Sequence, residues 1–204
     1  MGRGGTEVRL TLVSASPRRR ELLAGLGHPF DVRPSDAPEY WSGPTATAVA
    51  ERNARVKIER SSDSGDRSRL LVGADTLIEV DGLLLGKPLN RSSAERMLNL
   101  LSGRTHHVIT GICLSGPAAG NATMCPVVIG SATSAVEVDP LPPSTLERYL
   151  CSKEWVGKAG AYAIQGQAGE FCRLRSGARD NVIGLPLTLI DGLLRTHFSH
   201  CCFC

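Results

Sequence analysis

Apolar and polar positions fall into blocks whose period changes along the chain. Val8–Val13 alternates and is rich in β-formers, which predicts a strand. The run breaks at Ser14-Ala15-Ser16-Pro17, and Leu22, Leu23 and Leu26 then recur at helical spacing. Ser16 suits a helix N-cap, Pro17 the first helical position, and Gly25 and Gly27 the exit. Phe30–Arg33 predicts a second short strand, followed by a polar loop through Glu39 to Pro44. Thr45–Arg60 carries Ala46, Val49, Ala50, Ala54, Val56 and Ile58 on a helical pattern.

After the polar stretch Ser61–Ser68, the apolar run Leu70–Gly73 predicts a buried strand that ends at Ala74-Asp75-Thr76. Leu77–Val80, Asp81-Gly82 and Leu83–Leu85 read as a hairpin, because Asp-Gly favours the tight turn. Ser92–Leu101 is an amphipathic helix stopped by Ser102-Gly103. Thr105–Leu114 and Val127–Val138 predict two long strands linked by the small residues of Ser115–Thr123. Ser144–Leu150 predicts a helix capped by Ser144, and Val182–Leu185 leads through Pro186 into a last helix ending near Phe198. Such alternation predicts an α/β fold with a mixed sheet and no evident linker. No internal repeat is present.

Composition narrows the class. A chain of 204 residues suits one domain or two small lobes. With 42% hydrophobic and 21% charged residues it is too apolar and too evenly charged for a disordered chain. No apolar run reaches the roughly 18–20 residues of a membrane helix, so no membrane partner is expected.

Net charge becomes informative once located. The overall +3 divides into +4 over residues 1–20, where Arg3, Arg9, Arg18, Arg19 and Arg20 face Glu7 alone, and −1 elsewhere. A nucleic-acid face would spread Lys and Arg along helices, so no nucleic-acid partner is expected. A concentrated site for a small anion fits better. The seven cysteines are odd in number, and Cys201 and Cys204 have no second CxxC pair with which to make a zinc ribbon. The start lacks the features of a secretory signal. Free thiols in a reducing cytoplasm are the expectation. Asn121-Ala122-Thr123 has the form of a glycosylation sequon, for which a cytoplasmic chain has no use. A metal site from His197, His200 and the terminal cysteines is open but lacks a family spacing, and Cys201-Cys202-Phe203-Cys204 fits a prenylation signal poorly.

Four segments could carry chemistry. Ser14-Ala15-Ser16-Pro17-Arg18-Arg19 lies between strand and helix, where free backbone N–H groups and guanidinium forks favour phosphate oxygens. The alternative is a solvated helix face with Ser16 as a simple cap. Gly73-Ala74-Asp75-Thr76 ends a buried strand with an acid, which needs a metal, a proton to take or a partner. A turn-capping Asp is the competing reading. Gly86-Lys87-Pro88 presents a Lys in a turn, without the order of a P-loop. Gly157-Lys158-Ala159-Gly160-Ala161-Tyr162-Ala163-Ile164-Gln165-Gly166 offers close backbone approach and a Gln suited to a base edge, or else a packed turn.

These segments, with Leu101-Ser102-Gly103-Arg104-Thr105-His106 and Gly184-Leu185-Pro186, occur in an order that resembles the Maf family of nucleoside triphosphate pyrophosphatases. The resemblance runs from about Leu10 to Phe198 and implies an inosine-triphosphatase-like α/β fold: an elongated mixed β-sheet, flanking helices and a central cleft between two lobes. It implies one domain over residues 8–198, with flexible ends at 1–7 and 199–204. It also implies hydrolysis of a nucleoside triphosphate to the monophosphate and pyrophosphate with Mg²⁺ or Mn²⁺. The Lys-Ala-Gly-Ala-Tyr-Ala-Ile-Gln run resembles the branch acting on dTTP and UTP. Within the class, CTP, a modified pyrimidine or 7-methyl-GTP are the other substrates, and a nucleotide-binding regulator of cell division is the reading from another class. A homodimer is a family-level expectation.

By position, the resemblance makes Asp75 the proton acceptor and a metal contact, and Glu39 the second acid at the metal. Arg18, Thr76 and Gln165 match positions tied to substrate choice, and Ser14, Arg19 and Lys87 positions that hold the triphosphate. Lys158 lies beside the specificity turn, within reach of a phosphate. One departure stands out: the family's usual Lys in the second helix is Asn53 here. Lys57, one turn further on, is the residue expected to substitute, with weaker turnover as the consequence.

Overall fold

The computed structural model of the chain describes residues 6–118 and 125–203. Arg3, Asn121 and Cys204, and with them the sequon and part of the Ser115–Thr123 link, lie outside these residues. The elements are β1 (Thr6–Leu12), α1 (Pro17–Ala24), β2 (Phe30–Val32), α2 (Ala46–Glu59), β3 (Arg69–Val80), β4 (Leu83–Leu85), α3 (Arg91–Leu101), β5 (Thr105–Ser115), β6 (Val127–Val138), α4 (Pro143–Cys151), β7 (Cys172–Ser176), α5 (Arg179–Ile183), α6 (Leu187–His197) and β8 (Cys201–Phe203). Among the described residues the strands form one mixed sheet ordered β2-β1-β3-β5-β6-β7, with β4 on β3 and β8 on β1. The pairs β1–β2 and β1–β3 are parallel, and β3–β5, β5–β6 and β6–β7 antiparallel. The expected α/β class and elongated mixed sheet are therefore present.

Local chemistry explains most boundaries. Ser16 caps α1 by accepting from the Arg19 N–H, and Pro17 occupies the first turn. Thr45 caps α2 by accepting from the Ala48 N–H. Four expectations are corrected. The segments 70–73 and 77–80 form one continuous strand of 12 residues, because β5 pairs β3 from Leu71 to Glu79 and bridges the polar residues between them. Helix α4 starts at Pro143 with no side-chain cap, so Ser144 lies inside it. The stretch before Val182 holds an extra strand, β7, added at the sheet edge. Residues 6–7 and 201–203 are not free either: Thr6, Glu7 and Val8 pair in parallel with Cys201, Cys202 and Phe203.

The central strand β3 organises the rest. On one face Leu70, Val72 and Ala74 join an apolar cluster with β1, α1 and α6. Ile78 and Val80, further along the same face, join a second cluster with α3, α4 and Tyr162. Thr76 falls between the two. On the opposite face Leu71 packs with Ala54 and Ile58 of α2, and Leu77 with Val49 and Ala50. Asp75 falls between those, against α2.

Candidate active site

The site arises where β3 loses a neighbour. Strand β1 pairs with β3 only as far as Leu12 opposite Val72, and β4 takes the same edge only from Ile78. Between them the edge has no strand partner among the described residues, and Ala74, Asp75 and Thr76 lie in the gap. A cavity of about 560 Å³ opens there, a size suited to a small ligand. Its lining includes Ser14, Arg18, Arg19, Glu39, Lys57, Asp75, Thr76, Lys87 and Lys158. Eight of the nine site residues expected from the sequence are thus brought together.

Gln165 is the exception. It is exposed and outside the cavity lining. The Gly166 N–H closes a turn onto the Ala163 carbonyl at 3.0 Å, and this turn presents residue 165 to solvent. In this arrangement of the chain Gln165 does not line the cavity.

The acidic pair is held from several sides. Asp75 is only 4% exposed. Its Oδ1 accepts from the Lys57 ammonium and its Oδ2 from the Asn53 amide at 2.9 Å. The same Lys57 Nζ donates to Glu39 Oε1 at 3.3 Å, and Lys87 Nζ donates to that oxygen at 2.7 Å. Lys57 thus reaches both carboxylates from one turn beyond Asn53. Burial pushes the Glu39 carboxyl up, but the Lys87 hydrogen bond and the two ammonium charges outweigh it and hold it below its ordinary value.

The basic residues divide by task. Arg19 Nε donates to the Gly184 carbonyl at 2.8 Å, Nη1 to the Ala74 carbonyl at 2.9 Å and to Ser14 Oγ at 3.3 Å, and Nη2 to Thr76 Oγ1 at 3.0 Å. Four of its five N–H groups are engaged, leaving one for a ligand. Thr76 Oγ1 also lies 3.0 Å from Thr110 Oγ1, which donates to the Asn181 carbonyl, so the Thr76 hydroxyl is engaged as well. Ser14 Oγ accepts from Arg19 and from the Ser16 N–H at 3.2 Å. Arg18 differs: burial, then the Arg19 charge, lowers its pKa. The Lys158 ammonium is likewise lowered, first by burial and then by Arg18. Two like charges facing one cavity at such a cost favour a bound anion.

The loop carrying Glu39 is tied to α2 by residues the sequence did not single out. Arg52 lies 4.3 Å over the Tyr40 ring and donates to the Ser42 carbonyl at 2.8 Å. Trp41 lies against Gly86, where a Cβ would come within 2.0 Å of the indole. Gly73 and Gly111 let α2 approach the sheet: a Cβ would lie 2.6 Å from the Ala54 carbonyl oxygen at Gly73, and 2.4 Å from the Ala50 carbonyl carbon at Gly111. An isolated glycine inside the apolar run of β5 was the one sequence signal for this close approach.

Residues 9–197 match the family model described as Maf-like protein. The chain belongs to the Maf family. It is 43% identical over 188 residues to a dTTP/UTP pyrophosphatase of Moorella thermoacetica, covering 91% of this chain and 93% of that one. It is 41% identical over 191 residues to a dTTP/UTP pyrophosphatase of Thermococcus gammatolerans, covering 93% and 97%. Among solved structures, the Staphylococcus aureus Ham1 protein aligns with a TM-score of 0.52 at 16% identity, over 92% of this chain and 98% of that chain. That likeness carries the fold alone. Within this Maf chain, Asn53 stands where the family's usual Lys was expected, fully buried and hydrogen-bonded to Asp75. Among the described residues no helix is long and apolar enough to cross a membrane.

The acid pair also fits a divalent cation. No group of three or more His, Cys, Asp or Glu side chains forms a metal cage among the described residues. Two carboxylates facing one cavity, already drawn to a single ammonium, are the hard-oxygen donor set Mg²⁺ or Mn²⁺ uses when substrate phosphates and water complete its shell.

Proposed function

We propose that this chain hydrolyses dTTP and UTP to the nucleoside monophosphate and pyrophosphate. The observation that carries the reading is the convergence of Asp75 and Glu39 with Arg18, Lys87 and Lys158 on one cavity, in a chain about 40% identical to dTTP/UTP pyrophosphatases along nearly its whole length.

A metal-bound triphosphate still carries about two negative charges. Arg18 and Lys158 meet them on one wall and Lys87 at the rim. Arg19 adds one N–H and holds the Ser14 turn in place. Asp75 and Glu39 would hold the divalent cation, which supplies charge neutralisation at the phosphates and acidifies water. Asp75 takes the proton of the water that attacks phosphorus, the pyrophosphate leaves, and its developing charge falls on the basic side chains. The singly protonated Asp75 then returns its proton to solvent. The engaged Thr76 hydroxyl acts on substrate choice through the shape of the cavity floor. Gln165 comes to the base only if the turn that carries it folds inward.

The test is pyrophosphate release from a panel of nucleoside triphosphates with Mg²⁺ or Mn²⁺, with Asp75→Asn as control. Release from dTTP and UTP should fall by about two to four orders of magnitude in the control. Preference for CTP or 7-methyl-GTP would reassign the substrate. Binding without release above the control would replace the enzyme by a nucleotide-binding regulator.

A further inference from the structure

Asn53 is fully buried, and three of its four hydrogen-bonding positions are used. Its Oδ1 accepts from the Tyr40 N–H at 2.9 Å. Its Nδ2 donates to the Tyr40 carbonyl at 3.0 Å and to Asp75 Oδ2 at 2.9 Å. Only one orientation of the amide satisfies this set, with the oxygen toward the N–H and both amide hydrogens on acceptors. An ammonium at this position would offer no acceptor to Tyr40.

We propose that Asn53 is a positioning residue that fixes Glu39 relative to Asp75, by clamping the backbone next to Glu39 and turning the Asp75 carboxylate so that its other oxygen meets Lys57. The proposal rests on the reading of Asp75 and Glu39 as the acids of the pyrophosphatase. Its physical content is division of labour on α2. Asn53 supplies geometry and Lys57 supplies charge, one turn apart, to the same two acids. Preorganised carboxylates cost nothing to align when a cation and a phosphate arrive, and a loosened loop must be ordered at each binding event.

The experiment compares wild type with Asn53→Ala and Asn53→Asp. First, Mn²⁺ alone is titrated into wild type and Asn53→Ala, read by the loss of free-ion EPR signal. The alanine variant should bind at least tenfold more weakly. Second, acrylamide quenching of Trp41, two residues from Glu39, is measured without nucleotide in a Trp155→Phe background. Quenching should rise in the alanine variant. Third, steady-state kinetics should show kcat lowered at least tenfold, with KM changed less than threefold, since the basic residues stay in place. Asn53→Asp keeps the volume and the acceptor but loses both donor bonds. It is read on kcat only, because its new carboxylate is itself a metal ligand, and kcat should again fall at least tenfold.

A folded alanine variant with wild-type Mn²⁺ affinity and quenching would overturn the proposal, as would a fully active aspartate variant. So would failure of both variants to fold, which would make Asn53 a core residue of α2. The first two readings need no turnover, so they stand apart from failure of the substrate assignment.

Discussion

Asp75 on β3 stands directly opposite Gly111 on β5, and Gly111 is where α2 comes down on the sheet. The glycine's missing side chain leaves the room that brings Asn53 and Lys57 onto the Asp75 carboxylate. Replacing Gly111 by Ala should therefore damage stability and site together. Overpacking of this kind costs about 1–3 kcal/mol, and a Cβ 2.4 Å from backbone can be relieved only by lifting the helix. Urea unfolding should show the loss, and kcat should fall in the fraction that remains folded. A stable, fully active variant would mean that α2 is not seated by this contact.

Arg19 to Lys should lower the melting temperature. One ammonium cannot reach acceptors on Ser14, Ala74, Thr76 and Gly184 together. Each carbonyl left buried without a donor costs about 1–3 kcal/mol. Thermal unfolding of the variant, with and without nucleotide, separates this role from phosphate binding. If Arg19 mainly held phosphate, the difference would appear only with the nucleotide present.

Lys57 to Met removes the charge shared by Asp75 and Glu39. Two carboxylates then face one cavity, with Lys87 still on Glu39 and the neutral Asn53 amide on Asp75. The variant should be less stable without metal, and Mn²⁺ should raise its melting temperature by more than it raises that of the wild type, because a ligand stabilises in proportion to its affinity for the folded state. Equal metal-induced shifts in the two proteins would show that Lys57 does not occupy the place of a cation.

His106 predicts how stability depends on pH. It is 1% exposed, its Nε2 lies 2.8 Å from the Tyr162 hydroxyl, and its Nδ1 has no partner among the described residues. Burial, with a smaller push from His107, lowers its pKa to about 4 from an ordinary 6.5. The unfolded chain therefore binds a proton that the folded chain refuses between these values. Stability rises with pH from about 4 to 6.5 and is flat above, by up to about 3 kcal/mol from this group. Chemical denaturation across that window should show a steeper slope for wild type than for His106→Gln. Matching slopes would remove His106 as the cause.

Much of the site was legible because its residues sit at places local chemistry marks. Ser16 and Pro17 announce a helix start, and Arg18 and Arg19 follow them. Asp75 breaks an apolar strand, and Lys87 stands in a Gly/Pro turn. Less legible were the residues that act through distant partners. Arg19 looked like a phosphate ligand from its neighbours, but its guanidinium is mostly spent on the Ala74 and Gly184 carbonyls and the Thr76 hydroxyl. Gln165 looked like a base reader from its motif, but the turn around it faces solvent. Tyr40, Trp41 and Arg52 carried no signal at all, since a loop's tether is written in the surface it meets.

By itself the sequence determined most of the strands and helices, the cap of α1, the family and the set of charged residues, because periodicity and turn chemistry act over a few neighbouring positions. Only the tertiary structure decided which of those residues share a cavity. That depended on where β1 ends and β4 begins along β3, and on how closely α2 can lie over Gly73 and Gly111. Register and close approach are settled by contacts between segments far apart in the chain, and they made Asn53 a clamp and Lys57 the charge beside it.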